Sequence, residues 1–241
     1  MVISLWSGPR NCSTALMYSF GSRPDTEVLD EPLFGHFLRV SGVHRPSREE
    51  VLATMSTDVR EITDRIHQPL AEDHQIRFLK NMACHLRAWP VETLAHHVHL
   101  LLIRHPVKVL RSYRAHMESP TLEDLGYAYQ LEWREHCEES GWPVAVLDSD
   151  QIVQSPESSL RALCNFCGIP WRSEMMHWPA GGRKEDGVWA KYWYHRVHAT
   201  EGWMVPTSNP VPQTSDLPVS MQPLLDLCMP LYERLKVQSL V

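Results

Sequence analysis

Val2-Ile3-Ser4-Leu5-Trp6-Ser7-Gly8-Pro9-Arg10-Asn11-Cys12-Ser13-Thr14-Ala15-Leu16-Met17-Tyr18-Ser19-Phe20 is the stretch that decides how the rest of the chain is read. Residues 2–6 form a short apolar run closed by a Gly-Pro turn signal, which predicts a buried strand. Residues 12–20 carry helix-compatible side chains behind Ser13-Thr14, the hydroxyl chemistry that opens helices. Strand, loop and helix make the start of an α/β unit. Backbone N–H groups at such a turn point at whatever occupies the helix start, and the helix dipole favours an anion there. Gly8, Pro9, Arg10, Asn11, Cys12, Ser13 and Thr14 therefore form a candidate phosphate-binding loop, with a permanent charge on Arg10 and hydroxyl donors on Ser13 and Thr14. The nucleotide triphosphatase loop, G-x-x-x-x-G-K-[ST], needs a Lys before its hydroxyl residue and a second Gly, and both are missing here. An ordinary turn capped by Ser13 has the same composition, so the loop alone leaves both readings open.

Further strands are expected at residues 27–29, 75–79, 98–103 and 144–147, the third being the clearest. Helices are expected over 46 to about 67 with Ser47 as cap, 107 to about 117, 122–140, and 156–166 closed by Gly168 and Pro170. A Pro-rich surface loop over 204–218 precedes a last helix with Leu224, Leu225, Cys228, Leu231, Tyr232 and Leu235 on one face, which Pro230 should kink. Short apolar strands alternating with helices predict one α/β domain over residues 1–241. It would be a three-layer domain, a central parallel sheet flanked by helices, with ligands at the carboxyl ends of the strands.

Composition agrees. Of 241 residues, 43% are hydrophobic and 22% charged, enough for the core of one large domain. A net charge of −6 argues against non-specific nucleic-acid or anionic-membrane partners, which need a large positive field. The 98–103 run is too short to span a bilayer. Met1 leads straight into the first strand without a charged leader, so no signal peptide is expected. The six cysteines then read as reduced thiols in a cytoplasmic protein. Nothing in the sequence specifies an oligomeric state. Charge is unevenly spread: residues 75–115 hold Arg77, Lys80, Arg87, Arg104, Lys108, Arg111 and Arg114 against Glu92 alone, a pattern that fits either an anionic ligand or solvated helix faces.

The strand at 98–103 runs into Arg104-His105-Pro106-Val107-Lys108-Val109-Leu110-Arg111-Ser112. Together with the first loop, this segment resembles the cofactor site of the sulfotransferase superfamily. Those enzymes take 3′-phosphoadenosine-5′-phosphosulfate (PAPS) on a loop like P-K-S-G-T-T. An Arg and a Ser eight positions apart hold the 3′-phosphate. Arg104 and Ser112 have that spacing, and Pro9-Arg10 with Ser13-Thr14 has the loop pattern. Residues 144–171 are similar to the family's later segment, and Arg183, Lys184 and Trp189 more loosely to its late cofactor-covering loop. Cys12 stands where the family usually has Gly, Arg10 replaces the usual Lys, and the 183–187 segment is one residue short.

The branch with a His base in K-T-H-L-P has Met82 at that place here. Asp30-Glu31-Pro32 resembles instead the x-E-P of the Golgi-type and bacterial branch, which makes Glu31 the candidate base. A solvated acid in a Pro turn is the plainer alternative. His85 is the second candidate, and Lys80 would neutralise the bridging oxygen as the nucleotide leaves.

Cys164 and Cys167 have metal-like spacing but no second pair, and read as helix packing. His96, His97 and His99 are assigned to different faces of a strand, so no shared metal is expected. Trp171, Trp178, Trp189, Trp193 and Trp203 supply packing and one or two acceptor-pocket walls.

The resemblance thus implies a PAPS-dependent sulfotransferase acting on a hydroxyl or amine of a small molecule, with PAPS as co-substrate and no metal requirement. One alternative is an ATP-dependent small-molecule kinase of P-loop type, with Asp148 on the magnesium side. Another is a non-catalytic nucleotide-binding protein of the same fold.

Overall fold

An apolar first strand needs partners on both edges and cover on both faces. The computed structural model of the chain, which describes residues 1–114, 119–208, 210 and 212–241, supplies them. Five strands, β1 (Val2–Ser7), β2 (Thr26–Asp30), β3 (Ile76–Met82), β4 (His97–Ile103) and β5 (Val144–Asp148), form one parallel sheet in the order β2-β3-β1-β4-β5. Because both faces are covered, the central strands are buried almost throughout, the polar Ser4, Ser7, Arg77, Lys80, Asn81, His97 and His99 included.

Ile3 and Leu5 point to one face, where they meet Leu16, Met17 and Phe20 of the helix Ser13–Gly21 and Leu160 and Leu163 of the helix Pro156–Phe166. Phe20 stacks on Phe78 of β3 at 4.2 Å between ring centroids. Trp6 points to the other face, among Val107 and Leu110 of Pro106–Tyr113, Leu131 and Trp133 of Tyr127–Ser140, and Leu225, Tyr232 and Leu235 of Gln222–Lys236. Cys164 and Cys167 are buried in the first layer, and all six cysteines are free thiols. The free edge of β5 is capped by the chain end: Leu240 N–H donates to the Val146 carbonyl at 2.8 Å, and Asp148 N–H to that of Val241 at 3.0 Å.

Helix Ser13–Gly21 follows β1 onto one face and helix Pro106–Tyr113 follows β4 onto the other. The two chain paths diverge, so a crevice opens between the carboxyl ends of these adjacent strands.

Several boundaries differ from the sequence reading. The helix expected over 46–67 is two, Arg48–Thr54 and Val59–His67. Ser47 makes no side-chain cap, whereas Asp58 accepts from the N–H groups of Arg60 and Glu61 and starts a new helix. The helix expected over 122–140 breaks at Gly126 (φ 81) into Leu122–Leu125 and Tyr127–Ser140. The helix from 107 is described to Tyr113, and residues 115–117 of that expectation lie outside the described residues. Gln222–Lys236 stays helical through Pro230. His97 and His99, two apart on β4, share a face with 6.0 Å between their rings, because strand alternation separates only neighbouring positions. Burial holds His97 down to about 3 and His99 to about 4. Among the described residues no helix is long and apolar enough to cross a membrane.

Candidate functional site

The crevice is a cleft of about 400 Å³. Its floor is the β1 loop: Pro9, Arg10, Asn11, Cys12, Ser13 and Thr14 all line it. Arg10 and Cys12 both take φ 63, the left-handed region that non-glycine residues occupy at a cost and that gathers at functional sites. Cys12 therefore keeps the conformation that suits the Gly usual at this place. Asn11 ties the loop to the sheet, its amide donating to the Leu102 carbonyl of β4 at 2.9 Å. Gly8 lies beneath the cleft rather than in its wall. A Cβ on it would sit 2.5 Å from the Leu125 carbonyl oxygen, backbone that cannot move aside cheaply. Gly8→Ala is accordingly expected to lower stability by about 1–3 kcal/mol, seen as a melting temperature several degrees lower; an unchanged Tm would mean that the turn yields freely.

Arg104 and Ser112 reach the same floor from the end of β4 and from the helix behind it. Arg10 Nε donates to Ser112 Oγ at 3.0 Å, and Arg104 donates to the Arg10 carbonyl at 2.9 Å. Arg104 also meets Asp150 at 3.2 Å, as does Lys108. Three other cations of the basic stretch do not line the cleft: Arg77 pairs with Glu27, Arg87 with Glu123, and Arg111 approaches Asp216. Arg196, which the sequence did not flag, lines the cleft too. Burial, and then the Arg196 guanidinium, lower the pKa of Arg10. Neither arginine has an acidic partner among the described residues, so the cleft holds positive charge that an anion would relieve.

The second half of the site is a buried polar cluster. Pairing of β2 with β3 sets Asp30 beside Lys80, and Glu31 N–H donates to the Lys80 carbonyl at 2.7 Å. Lys80, 2% exposed, donates to Glu31, to Asp30 at 3.2 Å and to the Tyr194 hydroxyl at 2.6 Å. That hydroxyl also accepts from Trp189 Nε1 at 3.1 Å and donates to Asp30 at 2.9 Å, which uses its full capacity. Asp30 takes a further bond from the Gly187 N–H at 3.1 Å.

Burial lowers Lys80, but Asp30 and Glu31 outweigh it and hold the ammonium well above its ordinary value, so it stays charged. Burial pushes Glu31 up to about 7, against the pull of Lys80 and with help from Asp30. Glu31 also sits at φ 47, a strained conformation for a glutamate. His85 Nε2 lies 3.7 Å from Glu31 Oε2, and its ring is 5.1 Å from each of the adjoining rings of Phe34 and Phe37. Burial, then the charges of Lys80 and Arg45, drive its pKa far down, so it is neutral. The arrangement thus sets arginines at one end of a cleft and, at the other, a carboxylate able to take a proton near neutrality beside a fixed ammonium.

Glu31, Lys80, His85 and Trp189 all line the cleft, together with Trp178, Trp193 and Trp203. Arg183 and Lys184 do not. Arg183 lies over the Tyr18 ring at 4.9 Å and bonds the Tyr18 carbonyl and the Ser22 hydroxyl at the far end of the helix Ser13–Gly21. Lys184 is exposed beside Glu185. Asp30 could have been noticed as the last residue of a strand next to Glu31. Tyr194 and Arg196 carry no local signal.

The chain matches the sulfotransferase domain family over residues 1–239, and it belongs to that family. Two Arabidopsis thaliana proteins, named Branched-chain-amino-acid aminotransferase-like protein 2 and protein 1, are each 37% identical to it over 237 residues. Those matches cover 98% of this chain and 41% of each relative, so the chain spans about two fifths of their length. A solved sulfotransferase from Alicyclobacillus acidocaldarius is similar in fold, at 13% identity and a TM-score of 0.50, covering 98% of this chain and 95% of that one.

Proposed function

We propose that the domain transfers a sulfuryl group from PAPS to a hydroxyl or amine of a small molecule. The observation that carries this reading is the meeting, in one cleft, of Arg10, Arg104 and Ser112 with the Glu31–Lys80 cluster. On this reading Arg104 and Ser112 hold the 3′-phosphate, and the helix start at Ser13 and Thr14 faces the 5′-phosphosulfate. Arg10, with Arg196 near it, meets the charge that grows during transfer. The acceptor oxygen attacks sulfur while its proton passes to Glu31. The new S–O bond forms as the bond from sulfur to the bridging oxygen breaks. That electron pair stays on the 5′-phosphate, which Lys80 helps to neutralise, and adenosine 3′,5′-bisphosphate (PAP) leaves.

The kinase reading needs Asp148 in the cleft. Its carboxylate instead meets the Tyr232 hydroxyl and the Lys236 ammonium, both at 3.2 Å, and does not line the cleft. The name of the Arabidopsis relatives suggests transamination, which needs a lysine amine free to form a Schiff base; buried Lys80 is held as ammonium by two carboxylates.

A thermal-shift panel of PAP, PAPS, ATP, and ATP with magnesium tests the proposal. PAP and PAPS at about 100 times their dissociation constants should stabilise the fold by about 2.7 kcal/mol, and ATP much less. A shift with magnesium-ATP alone would overturn it. PAP binding without sulfation of any acceptor would favour a non-catalytic nucleotide-binding protein.

A further inference from the structure

The two halves of the site leave one charged pair in the cleft wall unexplained. Arg45 and Asp124 both line the cleft and pair with each other, their side chains only 17% and 11% exposed. Their place is on the acceptor side. Gly126, two residues after Asp124, packs on the side chain of Ala83, which opens the turn Ala83–Leu86 that also holds Cys84 and His85, and His85 in turn lies against Glu31. The field of Arg45 reaches His85 as well. Tyr113, at the end of the helix that carries Ser112, lines the cleft as well.

The pair is asymmetric in what it has left to offer. Asp124 Oδ2 accepts from the Thr121 N–H and hydroxyl, both at 2.9 Å, in a capping box, and Oδ1 takes Arg45. Arg45 spends one hydrogen on Asp124 and one on the His44 carbonyl. Of its five N–H donors, three have no partner among the described residues. A carboxylate fixed by its own cap thus holds a guanidinium in place, with most of that guanidinium's hydrogen-bonding capacity unspent in a ligand cleft. Such a fork matches the geometry of an incoming carboxylate. Phe34 and Phe37, 6.4 Å apart between ring centroids, line the same cleft as apolar walls suited to the body of the acceptor.

We propose that the acceptor is a small hydroxyl or amine compound carrying a carboxylate, which Arg45 holds while the reacting group faces Glu31. This rests on the sulfotransferase reading above. Four phenols that share a ring and a hydroxyl provide the test: 4-hydroxyphenylpropionate (anionic), tyrosine (zwitterionic), 4-methylphenol (neutral) and tyramine (cationic). Sulfation is followed at saturating PAPS, and binding of each phenol to the protein–PAP complex is followed by calorimetry. The propionate should exceed 4-methylphenol by about tenfold or more in kcat/KM, or in affinity if turnover is slow, with tyramine poorest. In Arg45→Gln that ratio should fall to within about threefold of unity, and Arg45→Lys should restore part of it. The thermal shift with PAP shows that each variant remains folded.

Equal use of the acid and 4-methylphenol by the wild type overturns the proposal, as does a preference that survives Arg45→Gln. Absence of binding by all four phenols overturns it too. If PAP itself gives no thermal shift, the sulfotransferase reading fails and the acceptor assignment falls with it. A normal PAP shift with no charge preference removes only the acceptor assignment, leaving Arg45–Asp124 as a staple between two loops.

Discussion

Glu31→Gln is expected to lower turnover by a factor on the order of 10² to 10⁴, the usual contribution of a positioned base, with PAP binding nearly intact. Gln keeps the size and hydrogen-bonding capacity of Glu31 but cannot take the acceptor's proton. His85→Asn should cost far less, because His85 is neutral, 1% exposed, stacked on Phe34 and packed against Phe37. The pH profile gives an independent check. Burial raises Glu31 to about 7, and a base must be ionised to act. The wild-type kcat/KM should therefore fall about tenfold per pH unit below that value and level off above it. Glu31→Gln should lose this acid limb. The reverse order of the two mutants would make Glu31 a turn residue and pass the base to His85. If neither mutation matters, the acceptor needs no enzymic base.

The second large effect is expected at the other end of the cleft. Arg104→Ala should weaken PAP binding by about 2 kcal/mol or more, roughly 30-fold in Kd, as for loss of a charge-assisted contact. Binding of a ligand without the 3′-phosphate should change little. Removing Arg104 does not strand Asp150, since Lys108 remains 3.2 Å away. Equal losses for both ligands would assign Arg104 to the fold, for which its bond to the Arg10 carbonyl at 2.9 Å is the physical route. Calorimetric titration of PAP and adenosine 5′-phosphosulfate into wild type and variant distinguishes the two results.

The local features of this protein are written in its sequence. The apolar run at residues 2–6, its Gly-Pro stop and the hydroxyl pair behind it determine a strand, a turn and a helix start, because each depends on residues within a few positions. Arg104 and Ser112 belong to the same class. A strand end followed by a helix opening at Pro106 fixes their phase over eight residues, and they do meet in the cleft. Where local signals compete, as at Asp58 and Gly126, the sequence over-extended a helix that a cap or a left-handed glycine divides. What only tertiary structure decided is which distant groups share one space. The Tyr194 hydroxyl joins Asp30, 164 positions away, to Lys80, 114 away, and no periodicity encodes that meeting. In the same way packing sends Arg183 to the back of the first helix and brings Arg196 to the cleft. Burial, in turn, raises Glu31 to about 7 and silences His85, since the cost of desolvating a charge depends on the whole surrounding fold.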